Sequence, residues 1–330
     1  MVTFLSGGTG TPKLLWGAST MYSPDEITVI GNTGDDIELG GLHMSPDIDT
    51  VIYERAGMLD RNRWWAVADD TTITNDRVEA LATAVGLGSG PNYLADEEQT
   101  SGRPLSNWRR FAGVPEFMTI GEMDRAHHLV RTALLEEGRN LTSATRALAD
   151  AYEVSIDVLP MSDDPVATMI ETPNGILHFQ SYWVAHGGAP TVTGVEYRGA
   201  TTAEPTSAVR HALADPVIIG PANPVTSIGP MLAMNEFDEL LRSTPVVAVS
   251  PFIGKEVFSG PAAELLAGTG YEPSTAGVAN ALPQVDGFVL DEKDTTTLDR
   301  PTIRTSTHIT SESDAVRVTE ACNELLEVVS

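Results

Sequence analysis

Three loops carry residue types that can hold phosphate, and each follows a short apolar run. Residues 6–13 read Ser-Gly-Gly-Thr-Gly-Thr-Pro-Lys. Glycines let a ligand approach the backbone and expose its N–H groups, while a helix start and Lys13 add positive charge. Gly7, Gly8, Thr9, Gly10, Thr11 and Lys13 are therefore candidate diphosphate contacts. Pro12 stands before Lys13, so this is not a Walker A loop. Lys13 also replaces the third glycine of G-x-G-x-x-G, which weighs against a nicotinamide dehydrogenase. The second loop, 220–230, reads Gly-Pro-Ala-Asn-Pro-Val-Thr-Ser-Ile-Gly-Pro. The third, Ser250-Pro-Phe-Ile-Gly-Lys255, runs on to Ser259-Gly-Pro-Ala262. Three such loops at the carboxyl ends of parallel strands point to one shared crevice.

Acidic residues flank the first loop in sequence. Asn32-Thr-Gly-Asp35-Asp36 follows the second apolar run, and Ser45-Pro-Asp47-Ile-Asp49-Thr50 opens a helix. Carboxylates beside a diphosphate are the usual protein ligands of Mg²⁺. Asp47 and Asp49 lie two apart and cannot share one helix face. An acid at Asp47 already suits the helix dipole. Asp49, just before the apolar stretch at 51–53, is thus the expected crevice-facing acid, and Asp35 and Asp49 are the expected metal ligands. Asp163, in Met161-Ser-Asp-Asp-Pro165, is a further candidate. The adjacent His127 and His128 are expected to point apart, unable to chelate one metal. Trp64-Trp65, with Arg61 and Arg63, reads either as an aromatic platform or as a packing site between helices. His178 reads as a core histidine.

These loops need a frame. Apolar runs predict strands at 2–5, 27–31, 155–159, 176–180, 216–219, 245–249 and near 287–290. Helices are predicted from Pro12 to about Ala18, from Ser45 onward, over 121–152 and over 311–329. Strands alternating with helices predict an α/β protein: a Rossmann-like, doubly wound, mostly parallel sheet with helical insertions. One domain spanning 1–330 is expected, with a surface insertion at 86–117, where Gly, Pro, Asn, Ser and Glu concentrate.

Composition narrows the setting. The 330 residues carry 46 acidic and 20 basic side chains, a net charge of −26, with lysines only at 13, 255 and 293. Such a field repels polyanions, so neither nucleic acid nor an anionic membrane is an expected partner. No apolar run approaches the ~20 residues of a membrane span. The N-terminus lacks the basic and apolar regions of a signal peptide. Cys322 is the only cysteine, which excludes an intrachain disulfide or a cysteine-based zinc site. A cytoplasmic protein is expected. An acid-rich, lysine-poor surface also fits a halophile, because high salt screens its self-repulsion. Thermal stability should therefore rise steeply between 0.1 M and about 2 M KCl, and equal melting temperatures at the two salts would contradict a halophilic origin.

The residue blocks at 6–13, 45–51, 60–65, 161–166, 178–180, 220–230 and 249–254 occur in an order that resembles the 2-phospho-L-lactate transferases of archaea and their actinobacterial relatives. The resemblance implies a Rossmann-like homodimer that depends on Mg²⁺. Its donor would be lactyl-2-diphospho-5′-guanosine and its acceptor 7,8-didemethyl-8-hydroxy-5-deazariboflavin, giving coenzyme F-420-0 and GMP. By the same resemblance Asp49 contacts the deazaflavin, and Thr119 stands where the family usually carries a basic acceptor contact. Asp49 and Lys13 are the implied catalytic pair. Asn32, Asn223, Thr226 and Ser227 join the glycine loop as implied nucleotide contacts. A lactyl and a phosphoenolpyruvyl donor both remain open. A nucleotide-sugar-binding regulatory protein shares a similar glycine loop, but the 45–51 and 220–230 blocks speak against it.

Overall fold

Val2–Ser6 (β1) and Ile27–Gly31 (β2) are buried almost throughout, as strands covered on both faces must be. In the computed structural model, which describes residues 1–86, 92–93, 111–112, 117–258 and 260–330, they are adjacent strands of a seven-stranded sheet. The others are Asp157–Pro160 (β3), Val217–Ile219 (β4), Val246–Val249 (β5), Gly287–Asp291 (β6) and Thr302–Thr305 (β7). The order is β7-β6-β5-β4-β1-β2-β3, and every pairing is parallel. Period-two alternation feeds two cores: Leu5, Ile30, Leu159 and Ile219 face one, and Phe4, Val29, Val158 and Ile218 the other. The doubly wound expectation is met.

Helix Gly10–Met21 (α1) follows β1, and Pro46–Arg55 (α2) follows a hairpin of Ile37–Leu39 and Leu42–Met44. Pro46 sits in the first turn of α2, where its missing N–H is no loss. Ile73–Ala84 (α3) precedes the expected insertion, most of which lies outside the described residues. The helix expected over 121–152 is two helices, Glu122–Glu136 (α4) and Leu141–Ala151 (α5). Gly138 takes φ +90°, and the Asn140 side chain caps α5 by accepting from Ser143 N at 3.0 Å. Glu312–Val329 (α6) packs on α1 so closely that a Cβ on Gly17 would lie 2.3 Å from the Ala315 carbonyl.

The strand expected at 176–180 is Gly175–His178, and it does not join the parallel sheet. It pairs antiparallel with Ala167–Thr172, which in turn pairs with Gly194–Arg198. The segment after Gly175–His178 supplies Phe179, Gln180, Trp183 and Val184 to one side of the site. No described helix is long and apolar enough to cross a membrane.

Candidate functional site

The strand order reverses between β1 and β4, the place where doubly wound sheets bind ligands beyond their carboxyl ends. The glycine loop leaves β1 there, and 220–230 leaves β4 beside it. The two loops touch. A Cβ on Gly10 would lie 2.0 Å from the Pro221 carbonyl oxygen, and one on Gly7 would lie 2.2 Å from Ser227 Oγ. Two of the glycines are therefore demanded by loop packing, before any ligand is considered.

A cavity of about 490 Å³ opens over this junction. Gly7, Gly8, Thr9, Gly10 and Lys13 line it, as do Asn223, Thr226 and Ser227. Thr11 and Asn32, also expected at the nucleotide, are not in the lining. Thr11 is buried and its hydroxyl donates to the Leu5 carbonyl at 2.9 Å. Asn32 is a buried bolt: Nδ2 donates to Asp47 Oδ2 at 2.9 Å and to the Thr226 carbonyl at 3.1 Å, while Oδ1 accepts from Gly34 N. It ties the first acidic loop, α2 and the second phosphate-type loop together. The third loop reaches the cavity through Gly260 and Pro261; Lys255 is exposed and outside the lining.

Lys13 has no ion pair among the described residues. Its Nζ lies 4.6 Å from the Trp64 ring centre and 4.7 Å from that of Phe258. Burial lowers its pKa. A cation held only by ring faces is available to a phosphate.

Two carboxylates face Lys13's cavity. Asp35 is buried and its Oδ1 has no hydrogen-bond partner. Burial, and then the neighbouring charge of Asp47, push its pKa well above the carboxylate range. Burial likewise raises Asp47 to about 7; Asn32 partly offsets this, and the charges of Asp36 and Asp49 add to it. A Cβ on Gly8 would lie 2.7 Å from Asp47 Oδ1, so this carboxylate abuts the glycine loop.

Asp49, the expected crevice acid, requires a correction: it is not in the lining, and Asp47 is. Asp49 points to α4, where Arg131, wholly buried, grips both its oxygens, with Nη1 at 2.9 Å from Oδ2. Burial opposes the Asp49 charge, but Arg131 and His127 outweigh it and hold the pKa well below normal. The expected divergence of His127 and His128 is also corrected. Both rings reach Asp49, His127 Nε2 at 3.0 Å and His128 Nδ1 at 3.7 Å, and His128 Nε2 meets Asp124 at 3.0 Å. These three side chains offer ligand atoms within 4.8 Å of one another. The guanidinium already neutralises Asp49, so the cluster is a buried ion-pair network and a poor cation site.

The remaining candidates separate cleanly. Thr119 is exposed and outside the lining, although its neighbour Met118 lies within it. Asp163 caps α5, accepting from Thr142 N at 2.7 Å and Thr142 Oγ1 at 2.8 Å. His178 is fully buried, as expected. Arg63, Trp64 and Trp65 do line the cavity, joined by Trp183, which the sequence had not singled out.

A doubly wound parallel sheet whose switch point holds a glycine loop, a lysine without an ion pair among the described residues and two buried carboxylates defines an α/β protein with its candidate site at the carboxyl ends of the strands. The chain belongs to the 2-phospho-L-lactate transferase CofD family, whose family model matches residues 2–328. It is 57% identical over 330 residues to the 2-phospho-L-lactate transferase of Haloarcula marismortui, covering 100% of both chains. Identity to the protein of that name from Halobacterium salinarum is 54% over 332 residues, covering 100% of this chain and 99% of the relative. A crystal structure of a UPF0052 family member from Bacillus halodurans is similar with a TM-score of 0.60, 15% identity and 97% of both chains covered; that likeness concerns the fold alone. The family is one of enzymes that transfer a phosphate-containing group.

Proposed function

We propose that the cavity transfers the 2-phospho-L-lactyl group from lactyl-2-diphospho-5′-guanosine to the ribityl hydroxyl of 7,8-didemethyl-8-hydroxy-5-deazariboflavin. The products are coenzyme F-420-0 and GMP. The observation that carries this reading is one cavity lined both by the glycine loop with Lys13 and by the paired carboxylates Asp35 and Asp47.

The acceptor hydroxyl oxygen bonds to the lactyl-bearing phosphorus, the bond from that phosphorus to the GMP oxygen breaks, and the hydroxyl proton is released to water. Charge grows on the equatorial oxygens and on the departing GMP. Backbone N–H groups of the glycine loop and the Lys13 ammonium, which line the cavity, would offset it. The unpartnered Asp35 oxygen and the raised pKa of Asp47 fit a divalent cation, since two neighbouring buried carboxylates resist ionising without one. Asp35 and Asp47 would hold Mg²⁺, which supplies electrostatic stabilisation of the diphosphate. Asp49, fixed by Arg131 and accepting from Ser45 N at 3.2 Å, holds the start of α2 so that Asp47 meets the loop. The expected homodimer belongs to the same proposal.

Two consequences can be measured. Lys13→Ala should weaken GDP binding by about 10- to 150-fold, the loss of a charge-assisted contact of ~1.5–3 kcal/mol, and leave deazaflavin affinity nearly intact. Unchanged GDP affinity by calorimetry would make the loop purely structural. The second concerns pH. An acid whose pKa rises on folding binds its proton more tightly when folded, so Asp47 erodes stability as pH climbs from the unfolded range, about 4, towards 7. A cation that needs the ionised form reverses this. The rise in melting temperature on adding Mg²⁺ should be small below about pH 6 and full above about pH 8. A rise independent of pH would remove Asp47 from the cation site.

A further inference from the structure

Two ring faces, not a counter-charge, meet the Lys13 ammonium, and they belong to a longer stack. Nζ stands 4.6 Å from the Trp64 ring centre and 4.7 Å from that of Phe258. Trp64 comes from the segment after α2, and Phe258 from the third loop. Behind Trp64 lies Trp16, one turn beyond Lys13 on α1, with ring centres 5.2 Å apart and planes at 50°. Arg61 ends the series, its guanidinium carbon 4.7 Å from the Trp16 ring centre. Contacts therefore run from Arg61 through Trp16 and Trp64 to Lys13 and Phe258. Each ring is tied down elsewhere. Trp16 Nε1 donates to Glu54 Oε1 at 2.5 Å, and Arg61 Nη2 lies 3.8 Å from the same oxygen. Glu54 is buried on α2, the helix whose first turn carries Asp47. The segment bearing Trp64 is closed by the Leu59–Val67 bridge and by two backbone hydrogen bonds. Trp64 N donates to the Asp60 carbonyl at 2.7 Å, and Asp60 N to the Ala66 carbonyl at 3.0 Å. Phe258 N donates to the Pro251 carbonyl at 2.6 Å. Trp64 takes φ +62°, a left-handed backbone that a bulky side chain adopts only where its surroundings hold it.

All three rings also pack against the core that contains Phe4, so apolar burial accounts for their presence but not for a lysine among them. The lysine is the informative member. The chain carries 46 acids against 20 bases, yet no acid among the described residues pairs with Lys13. A carboxylate partner would compete with an incoming phosphate for the ammonium. A ring face attracts the same charge through its quadrupole and leaves the N–H groups free to donate. Burial disfavours the charged form of Lys13, and the ring faces offset part of that cost.

We propose that Trp64 and Phe258 are positioning residues, whose ring faces hold the Lys13 ammonium at the cavity for a phosphate of a nucleoside diphosphate, with Trp16 and Arg61 backing Trp64. This rests on the transferase reading above for the nucleotide, and on nothing about the acceptor.

The test is calorimetric titration of the full-length enzyme with GDP and Mg²⁺ at one KCl concentration, for Trp64→Leu, Lys13→Ala and the double variant. Trp64→Leu should weaken GDP about 3- to 30-fold, the range of a desolvated cation–π contact. In the Lys13→Ala background the same substitution should change affinity less than about two-fold, because its route to the nucleotide is gone. Trp64→Phe, which keeps a ring face, should retain most of the wild-type affinity. Phe258→Leu should repeat the pattern from the other ring, and it carries the test if Trp64→Leu fails to fold. Equal losses with and without Lys13 would make the rings simple packing and overturn the proposal. Unchanged GDP affinity in both leucine variants, or in Lys13→Ala, overturns it as well. Failure of the transferase reading looks different: coupling between Trp64 and Lys13 intact, with no deazaflavin phosphodiester formed, removes the acceptor and leaves the positioning role standing.

Discussion

Asp47→Asn should lower turnover at least about 100-fold while the protein keeps its fold, as loss of a group that holds the reacting charge typically does. The substitution is nearly isosteric, and its side-chain oxygen can still accept from Asn32 Nδ2, so the bolt between α2 and the 220–230 loop survives. What is lost is a negative charge in the cavity, next to Asp35. Removing it should even ease folding of the ligand-free enzyme near neutral pH, because burial and its neighbours disfavour that charge. A variant that is as stable as wild type or more so, yet nearly inactive, separates function from structure. GMP release at saturating donor and acceptor measures it. Turnover within a few-fold of wild type would take Asp47 out of the chemistry and leave Asp35 as the leading acid.

Arg131→Met should have the opposite signature, destabilising the fold by about 3–5 kcal/mol, since it strands a buried, ionised Asp49. Arg131 is fully buried, and among the described residues Asp49 is the carboxylate it grips. Adding Asp49→Asn to the methionine variant should recover part of the loss, because the orphaned charge disappears with it. Urea unfolding in molar KCl provides the numbers. A single-variant loss below about 1 kcal/mol would mean that the pair is dispensable and that α2 is held by packing alone.

The frame was legible where one element explains itself. β1 and β2 are mostly apolar runs broken by Thr3 and Thr28, and the loops after β1 and β4 declare themselves by glycine, serine and proline at strand ends. The break between α4 and α5 was also written locally, in Gly138 and Asn140, although helical periodicity masked it. The identity of the cavity acid was not legible. Helix geometry correctly allowed only one of Asp47 and Asp49 to face the crevice, but choosing between them needs the partner of the other. That partner, Arg131, lies 82 residues away in sequence, and no spacing rule reaches it. The histidines misled for the same reason: adjacent residues on a helix diverge at Cβ, yet long side chains on α4 can converge on a third residue from α2. Trp183 escaped notice because its segment, 181–185, leaves a short strand without any composition signal.

The proposed reaction joins a guanosine-linked phospholactyl donor to a deazaflavin hydroxyl in one cavity. Its most direct test is a single-turnover mixture of enzyme, lactyl-2-diphospho-5′-guanosine, 7,8-didemethyl-8-hydroxy-5-deazariboflavin and Mg²⁺ in molar KCl, with GMP and the deazaflavin phosphodiester quantified together. The two products are expected in equal amounts, both lost when the acceptor or Mg²⁺ is omitted and both suppressed by Asp47→Asn. GMP released at the same rate without acceptor, or no phosphodiester formed with every component present, would contradict it.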